Sequence, residues 1–287
     1  AIACAPVCAI MDCYMTTDVQ DSMQVILEAY YRDTLGLPDW EAAVARRLQT
    51  GLEGQVNRLA SFVDLRGKHI LDVGCGFGDM MLSLLEAGAE QATGIDPDLT
   101  WLTVAAARGS RDSKRFRVNR AVGEQLPFRD NSFDLVCSNF VVEHVDDLEL
   151  VVGEMIRVLK PGGLCLINCP NYLWPMEPHY HLPWAPYTPK WIGQQLLRWL
   201  GRDPHYFVHH IHYLTPFDVL KALRQAGVTH TTNLLHATLT RPDLIVNLAL
   251  RTWARRLSFL RPPSSLIYLL MPSASILAAK PGEGEAR

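Results

Sequence analysis

Chemistry and backbone freedom coincide in one run of this chain, His69-Ile70-Leu71-Asp72-Val73-Gly74-Cys75-Gly76-Phe77-Gly78-Asp79. Residues of strand character lead into three glycines at alternate positions, and a helical pattern follows. Such a strand, turn and helix opens over a ligand, because Gly accepts positive φ and lets a ligand lie against bare main chain. The spacing is G-x-G-x-G, not the G-x-G-x-x-G that holds a dinucleotide pyrophosphate. S-adenosylmethionine, which has no phosphate, is the better candidate. Asp72, Gly74, Cys75, Gly76 and Gly78 are the expected cradle, with Asp72 orienting the turn or receiving the ligand's ammonium group.

Gly94-Ile95-Asp96-Pro97-Asp98 closes the next predicted strand, about twenty residues past the turn. A carboxylate there accepts hydrogen bonds from both ribose hydroxyls of an adenosine. Asp96 takes that role with Pro97 beside it, and Asp98 suits the N-cap of the following helix.

These residues need elements to hold them. Strands are expected at His69–Val73, Ala92–Asp96, Phe116–Asn119, Phe133–Asn139 and Leu164–Cys169, the last after a sharp stop at Pro161-Gly162-Gly163. Helices are expected at Asp79–Ala87, Leu99–Arg108 and Leu148–Leu159. Alternation of this kind means a parallel sheet with helices on both faces, and ligands bind at the carboxyl ends of its strands. Before the sheet, Thr17–Asp33 reads as an amphipathic helix, and a second runs from Pro38 in some form to Asp64. After it, helical pieces are expected at Lys190–Leu200 and, capped by Thr215-Pro216, at Phe217–Ala226. Strands near Thr229–His236 and Ser275–Ala279 complete the sheet.

The 287 residues suit one large domain with an appended segment, and 48% hydrophobic with 20% charged residues is ordinary for a globular chain. A net charge of −3 gives no whole-chain reason to expect nucleic acid. Seven cysteines, with no C-x-x-C pair and several inside predicted core strands, argue for a reducing compartment and against a disulfide framework. Residues 1–16 lack a basic n-region and an initiator Met. They are expected to be disordered or artefactual, with Met11 or Met15 as the start. The apolar stretch Leu266–Ala279 is broken by Pro272 and is not a membrane span.

A third signature, Gly123-Glu124-Gln125-Leu126-Pro127-Phe128 with Asp130-Asn131-Ser132-Phe133-Asp134, completes a resemblance. Together with Leu71-Asp72-Val73-Gly74-Cys75-Gly76 and Leu159-Lys160-Pro161-Gly162-Gly163, it resembles the class I S-adenosylmethionine-dependent methyltransferases of the small-molecule branch, the methyltransferase type 11 kind. The resemblance is strong over about Leu65–Lys160. It implies a Rossmann-like, doubly wound α/β fold: a seven-stranded, mostly parallel sheet whose last strand is antiparallel. N-terminal helices cover the cofactor, with Tyr30, Tyr31 and Arg58 as contacts, and a helical insertion precedes the last strand. The implied division is a helical cap at 17–64 and a catalytic core at 65–240 with its acceptor side at 170–214. An insertion at 241–271 and a last strand and tail at 272–287 follow. Gly123 and Glu124 are expected beside the adenine. The family usually has Asp where this chain has Val122, so one hydrogen bond to the adenine amino group is in question. Asn139, after the fourth strand, is expected to order the methionine end.

The same resemblance puts His144 beside the reactive methyl as a base or a holder of the loop. The segment Asn168–Trp184, rich in Pro, Tyr, Trp and His, becomes a lid or a wall for the acceptor, with His179 and His181 as further catalytic candidates and Glu177 beside them to suit an acceptor. His is the usual proton acceptor near neutral pH. No metal is expected, since His205, His209, His210 and His212 match no common zinc spacing. The expected activity is methyl transfer, to oxygen before carbon or nitrogen, on a small-molecule, glycan or lipid-linked acceptor. The protein is expected to be cytoplasmic, with peripheral membrane contact through the arginine-rich 241–271 stretch. The rival readings are a nicotinamide-dependent oxidoreductase and a non-catalytic cofactor-binding protein.

Overall fold

The computed structural model describes residues 19–49, 52–110, 113–240 and 264–282. The expectations for residues 1–16 and for most of 241–271 lie outside these. The strands are β1 (His69–Val73), β2 (Gln91–Asp96), β3 (Phe116–Arg120), β4 (Phe133–Asn139), β5 (Leu159–Pro170), β6 (Met176–Glu177), β7 (Leu182–Pro183), β8 (His230–Asn233) and β9 (Ser273–Ala279). The helices are α1 (Val19–Glu28), α2 (Trp40–Gln49), α3 (Glu53–Ala60), α4 (Asp79–Glu86), α5 (Leu99–Gly109), α6 (Leu148–Val158), α7 (Lys190–Trp199), α8 (His205–His210), α9 (Pro216–Gln225), α10 (Leu234–Thr240) and α11 (Ser264–Leu270).

Seven strands form one sheet in the order β3-β2-β1-β4-β5-β9-β8, and β6 pairs with β7 in a separate hairpin. β3, β2, β1, β4 and β5 are parallel to one another, while β9 runs antiparallel to both β5 and β8. The central strands are buried along nearly their whole length because helices cover both faces. One face packs Val151, Val152 and Met155 of α6 with Val219 and Leu223 of α9. The other packs Leu59 of α3, Met81 and Leu84 of α4 and Leu102 of α5.

Local chemistry starts the helices where the strands end. Asp98 accepts a hydrogen bond from Thr100 N at 2.7 Å, and Asp147 accepts one from Leu150 N at 3.0 Å. Thr215 and Asp218 cap α9 reciprocally behind Pro216.

Four elements differ from the sequence reading. The stop at Pro161-Gly162-Gly163 is a bulge inside β5: Gly162 has φ 74°, and the main chain of Gly162 and Gly163 pairs with Lys280. The second half of the expected strand 229–236 is helix α10. The segment after Pro38 is two helices, not one. The first helix continues beyond Glu28 as a π-helical turn, Ala29–Thr34. Among the described residues no helix is long and apolar enough to cross a membrane. Cys75, Cys137, Cys165 and Cys169 are free and buried.

Candidate active site

β1 and β4 lie side by side where the strand order reverses, the place at which open α/β sheets take ligands. In the turn that leaves β1, Gly74, Gly76 and Gly78 have φ of 76°, 51° and 78°. A Cβ at Gly74 would stand 2.3 Å from Val141 Cγ2, and one at Gly78 2.6 Å from Phe116 Cζ. Those two glycines therefore serve close packing as well as conformation. The Gly76 N–H donates to Asp96 Oδ2 at 3.0 Å, and the Asp98 N–H donates to Asp96 Oδ1 at 2.9 Å. The carboxylate is thus fixed at the carboxyl end of β2, with lone pairs to spare on both oxygens. Burial raises the Asp96 acid above its ordinary value against the pull of these N–H groups.

Asp72 is buried, and its Oδ1 has no hydrogen-bond partner. Burial first, then the Asp96 and Asp79 carboxylates, push it up to about 7. A cationic ligand would relieve all three influences. Cys75 is a packing residue: its thiol sits under Gly94, and burial raises it well above the ordinary thiol value. The turn is also tied down from outside. Asp79 pairs with Arg47 of α2 and, at 2.7 Å, with Arg108 of α5. Burial works against ionisation of Asp79, but the two guanidinium groups hold it below the usual range. Arg47, not Arg58, is the cap arginine that reaches the glycine turn; Arg58 is exposed on α3.

Beside this turn lies an open cleft of about 540 Å³ lined by Pro97, Arg120, Val122, Gln125, Leu126 and Pro127. Its Leu-Pro-Phe wall is held by α6. The Leu126 N–H donates to Glu154 at 2.8 Å, and Arg157 donates to the Leu126 and Phe128 carbonyls at 3.1 and 2.9 Å. Val122 is exposed in the cleft. Gly123 packs against Val151, where a Cβ would stand 3.1 Å away. Glu124 turns from the cleft and accepts from the Asp146 N–H at 3.2 Å.

Across the sheet, Asn139 closes β4 and accepts a hydrogen bond from Asn168 Nδ2 at 2.9 Å. His144 follows. Its Nδ1 donates to the His210 carbonyl at 2.6 Å, which leaves the Nε2 lone pair free. Burial first, then the neighbouring His179, push the imidazole down to about 4, so it stays neutral. His179 places its ring centroid 5.1 Å from that of His144, and its Nδ1 meets buried Glu177 Oε1 at 2.9 Å. Glu177 also accepts from Tyr172 Oη at 3.0 Å and the Tyr180 N–H at 2.6 Å. Burial opposes its charge, but these donors hold the carboxyl below its ordinary value.

His181 does not join this pair. It is exposed, with φ 52°, in the turn between β6 and β7. Three aromatics bridge the two sides: Tyr30, expected as a cap contact, and Trp101 and Tyr206, which sequence reasoning missed. Trp101 stacks on Phe77, with centroids 4.5 Å apart. Tyr30 meets Trp101 at 6.3 Å and Tyr206 at 5.6 Å, and Tyr206 stands 5.9 Å from His144. They come from three distant elements, so no local pattern announces them.

The arrangement offers a main-chain cradle with a ribose-type carboxylate on one side and, on the other, two imidazoles with fixed tautomers. Residues 71–167 match the family profile described as a methyltransferase domain. Over these residues the chain is similar to the class I methyltransferases.

An uncharacterised methyltransferase of Mycobacteroides abscessus is 38% identical to the chain over 122 residues, or 42% of this chain and 46% of the relative. A ubiquinone biosynthesis O-methyltransferase of Bradyrhizobium is 29% identical over 176 residues, or 58% and 64%. The chain spans about half the length of the curated relatives it matches. An S-adenosylmethionine-dependent methyltransferase from Mesorhizobium loti shares the fold at a TM-score of 0.51 and 19% identity, over 79% of this chain and 97% of that one. The residues of the methyltransferase domain fit the family's methyl donor, S-adenosylmethionine. The crowded glycines leave no room for side chains in the turn, Asp96 retains acceptor capacity, and the orphaned Asp72 oxygen suits an ammonium or sulfonium.

Proposed function

We propose that this chain transfers the methyl group of S-adenosylmethionine to an oxygen of a small-molecule, glycan or lipid-linked acceptor. The observation that carries the reading is the Asp96 carboxylate, tied to the Gly76 and Asp98 N–H groups beside the glycine turn. In this reading Asp96 receives the ribose hydroxyls. Pro97, Val122 and Leu126 enclose the adenine against the main chain of Gly123, and Asp72 and Asn139 face the methionine end. Bound S-adenosylmethionine supplies an activated methyl on a sulfonium that leaves as a neutral thioether.

The protein's task is then to hold an acceptor oxygen in line, dry and able to lose its proton. His144 is neutral and offers Nε2 as a hydrogen-bond acceptor. His179 takes the proton, because the Glu177 carboxylate on its Nδ1 fixes the tautomer and stabilises the imidazolium. Support for oxygen as the target is this paired His arrangement and the O-methyltransferase among the relatives. His181 lies too exposed to act with them and would at most touch an incoming acceptor.

A second reading rests on one geometric fact. Glu143, His144 and His179 each offer a ligand atom within 4.8 Å of the others. Both imidazoles have their rear nitrogen engaged, as metal-bound His does. A divalent cation there would polarise the acceptor oxygen. The proton-transfer reading stands first because the Glu177 carboxylate is already paired with His179 and no further ligand is needed. The test is transfer of labelled methyl from S-adenosylmethionine to phenolic, glycan and lipid-linked acceptors, with and without a chelator. Transfer that survives chelation supports the imidazole route, and transfer lost to chelation and restored by a divalent metal supports the cation. No transfer to any acceptor class, despite tight donor binding, contradicts both.

A further inference from the structure

Helix α7 is apolar on two sides. Toward the protein it presents Leu197 and Gly193, whose absent Cβ would stand 2.4 Å from the Trp184 ring and 2.8 Å from Phe207. Away from the protein, Trp191 is 67% exposed and Trp199 82% exposed, with Ile192 and Leu200 beside them and Tyr187, just before the helix, 72% exposed. At 3.6 residues per turn, Trp191, Ile192 and Trp199 share one side. A helix apolar on both sides is ordinarily covered on both.

The surroundings say by what. No Asp or Glu occurs from Pro178 to Arg202, while Lys190 opens the helix, Arg198 lies in its last turn and Arg202 follows it. Lys190 is anchored on the Val208 carbonyl at 2.9 Å and Arg202 on the Tyr180 carbonyl at 2.5 Å, so the cationic rim is held in place at both ends. Trp and Tyr in the apolar face with Lys and Arg at its edge match the boundary of an anionic bilayer, where indole sits at headgroup level and cations meet lipid phosphates. A second copy is the poorer occupant: a two-fold contact would set these cations against themselves.

We propose that the outer face of α7, with Trp191 and Trp199 as its anchors, docks the protein on an anionic phospholipid surface. α7 packs on α8, which carries the Tyr206 ring and the His210 carbonyl that meet His144. The docked face is therefore one helix from the acceptor side. That the acceptor is itself lipid-anchored follows only if the methyl-transfer reading holds; the docking surface does not depend on it.

Flotation of the full chain with phosphatidylcholine vesicles, with and without phosphatidylglycerol, tests the surface. The wild type is expected to float with the anionic vesicles and more weakly with the neutral ones. Trp191→Ser with Trp199→Ser should reduce binding more than about tenfold, given the area two indoles bury. Arg198→Gln should reduce it about fivefold, and only on anionic vesicles. Binding of S-adenosylhomocysteine by the same variants reports an intact fold and reads the methyl-donor site separately. No flotation of the wild type, flotation indifferent to the double variant, or a dimer that the double variant dissociates would each overturn the proposal and leave the methyl-transfer reading untouched.

Discussion

The two sides of the sheet's carboxyl edge are built in different ways. The side over β1, β2 and β3 consists of short contiguous stretches, 74–79, 96–98 and 122–127, whose recognition groups are main-chain N–H groups and one carboxylate. The side over β4 and β5 consists of side chains, His144, Tyr172, Glu177, His179 and Tyr206, gathered from segments far apart in sequence. It has a core of its own: Tyr180, Trp184, Leu197 and Phe207 pack with Leu35 and Leu37 of the N-terminal cap. Main chain can hold an invariant ligand whatever side chains surround it, whereas a variable partner must be met by side chains. In the proposed function, the difference separates a common donor site from an individual acceptor site, and the two sides are joined through Tyr30 between Trp101 and Tyr206.

The sharpest way to break this contrast is to strike each side alone. Asp96→Ala removes charged acceptors from two ribose hydroxyls and should weaken S-adenosylhomocysteine more than about 100-fold in calorimetry; equal affinity would remove Asp96 from the donor site. On the other side, His179→Gln should lower kcat about 100-fold while donor affinity stays within about twofold. A matching loss of donor affinity would show that the sides are one site.

A stability probe comes next. Gly193→Ala drives a methyl into Trp184 and Phe207, and overpacking of this kind costs about 1–3 kcal/mol. Amide exchange should accelerate over 171–214 and remain slow over 69–96. Equal acceleration in both would mean that the acceptor side has no independent packing.

The smallest effect concerns pH. Asp72 sits at about 7 in the fold against an ordinary 3.8. Its contribution to stability is therefore full below 3.8 and lost as pH rises through about 7. Asn cannot ionise, so Asp72→Asn should melt above the wild type at pH 8 and lose that advantage in acid, while binding cationic S-adenosylmethionine less well. A variant less stable than the wild type at pH 8 would contradict the raised value.

How legible these regions were in the sequence follows the same division. The glycine turn, the place of Asp96 at the end of β2, the Asp98 cap and the Thr215 cap could be read because each is decided within a few residues. Strand β8 was read too long, although Asn233, which caps α10 by accepting from the His236 N–H at 3.0 Å, carried the signal for a helix start. Arg58 was chosen over Arg47 because helical spacing alone does not say which face meets the glycine turn. Glu124 was placed by its neighbours in the motif, and only the fold turns it to Asp146. Trp101 and Tyr206 left no trace, and Tyr30 was expected only as a cap contact, since the meeting of the three is a product of long-range packing. His181 falls in an exposed turn with a left-handed backbone, which the residue types of a loop do not announce.

The most direct measurement is a crystal structure of the protein soaked with S-adenosylhomocysteine. The account predicts the ribose hydroxyls on Asp96, the adenine between Pro97 and Leu126, and the thioether facing His144 and His179. A nucleoside bound anywhere else, or a ribose that leaves Asp96 untouched, would contradict it.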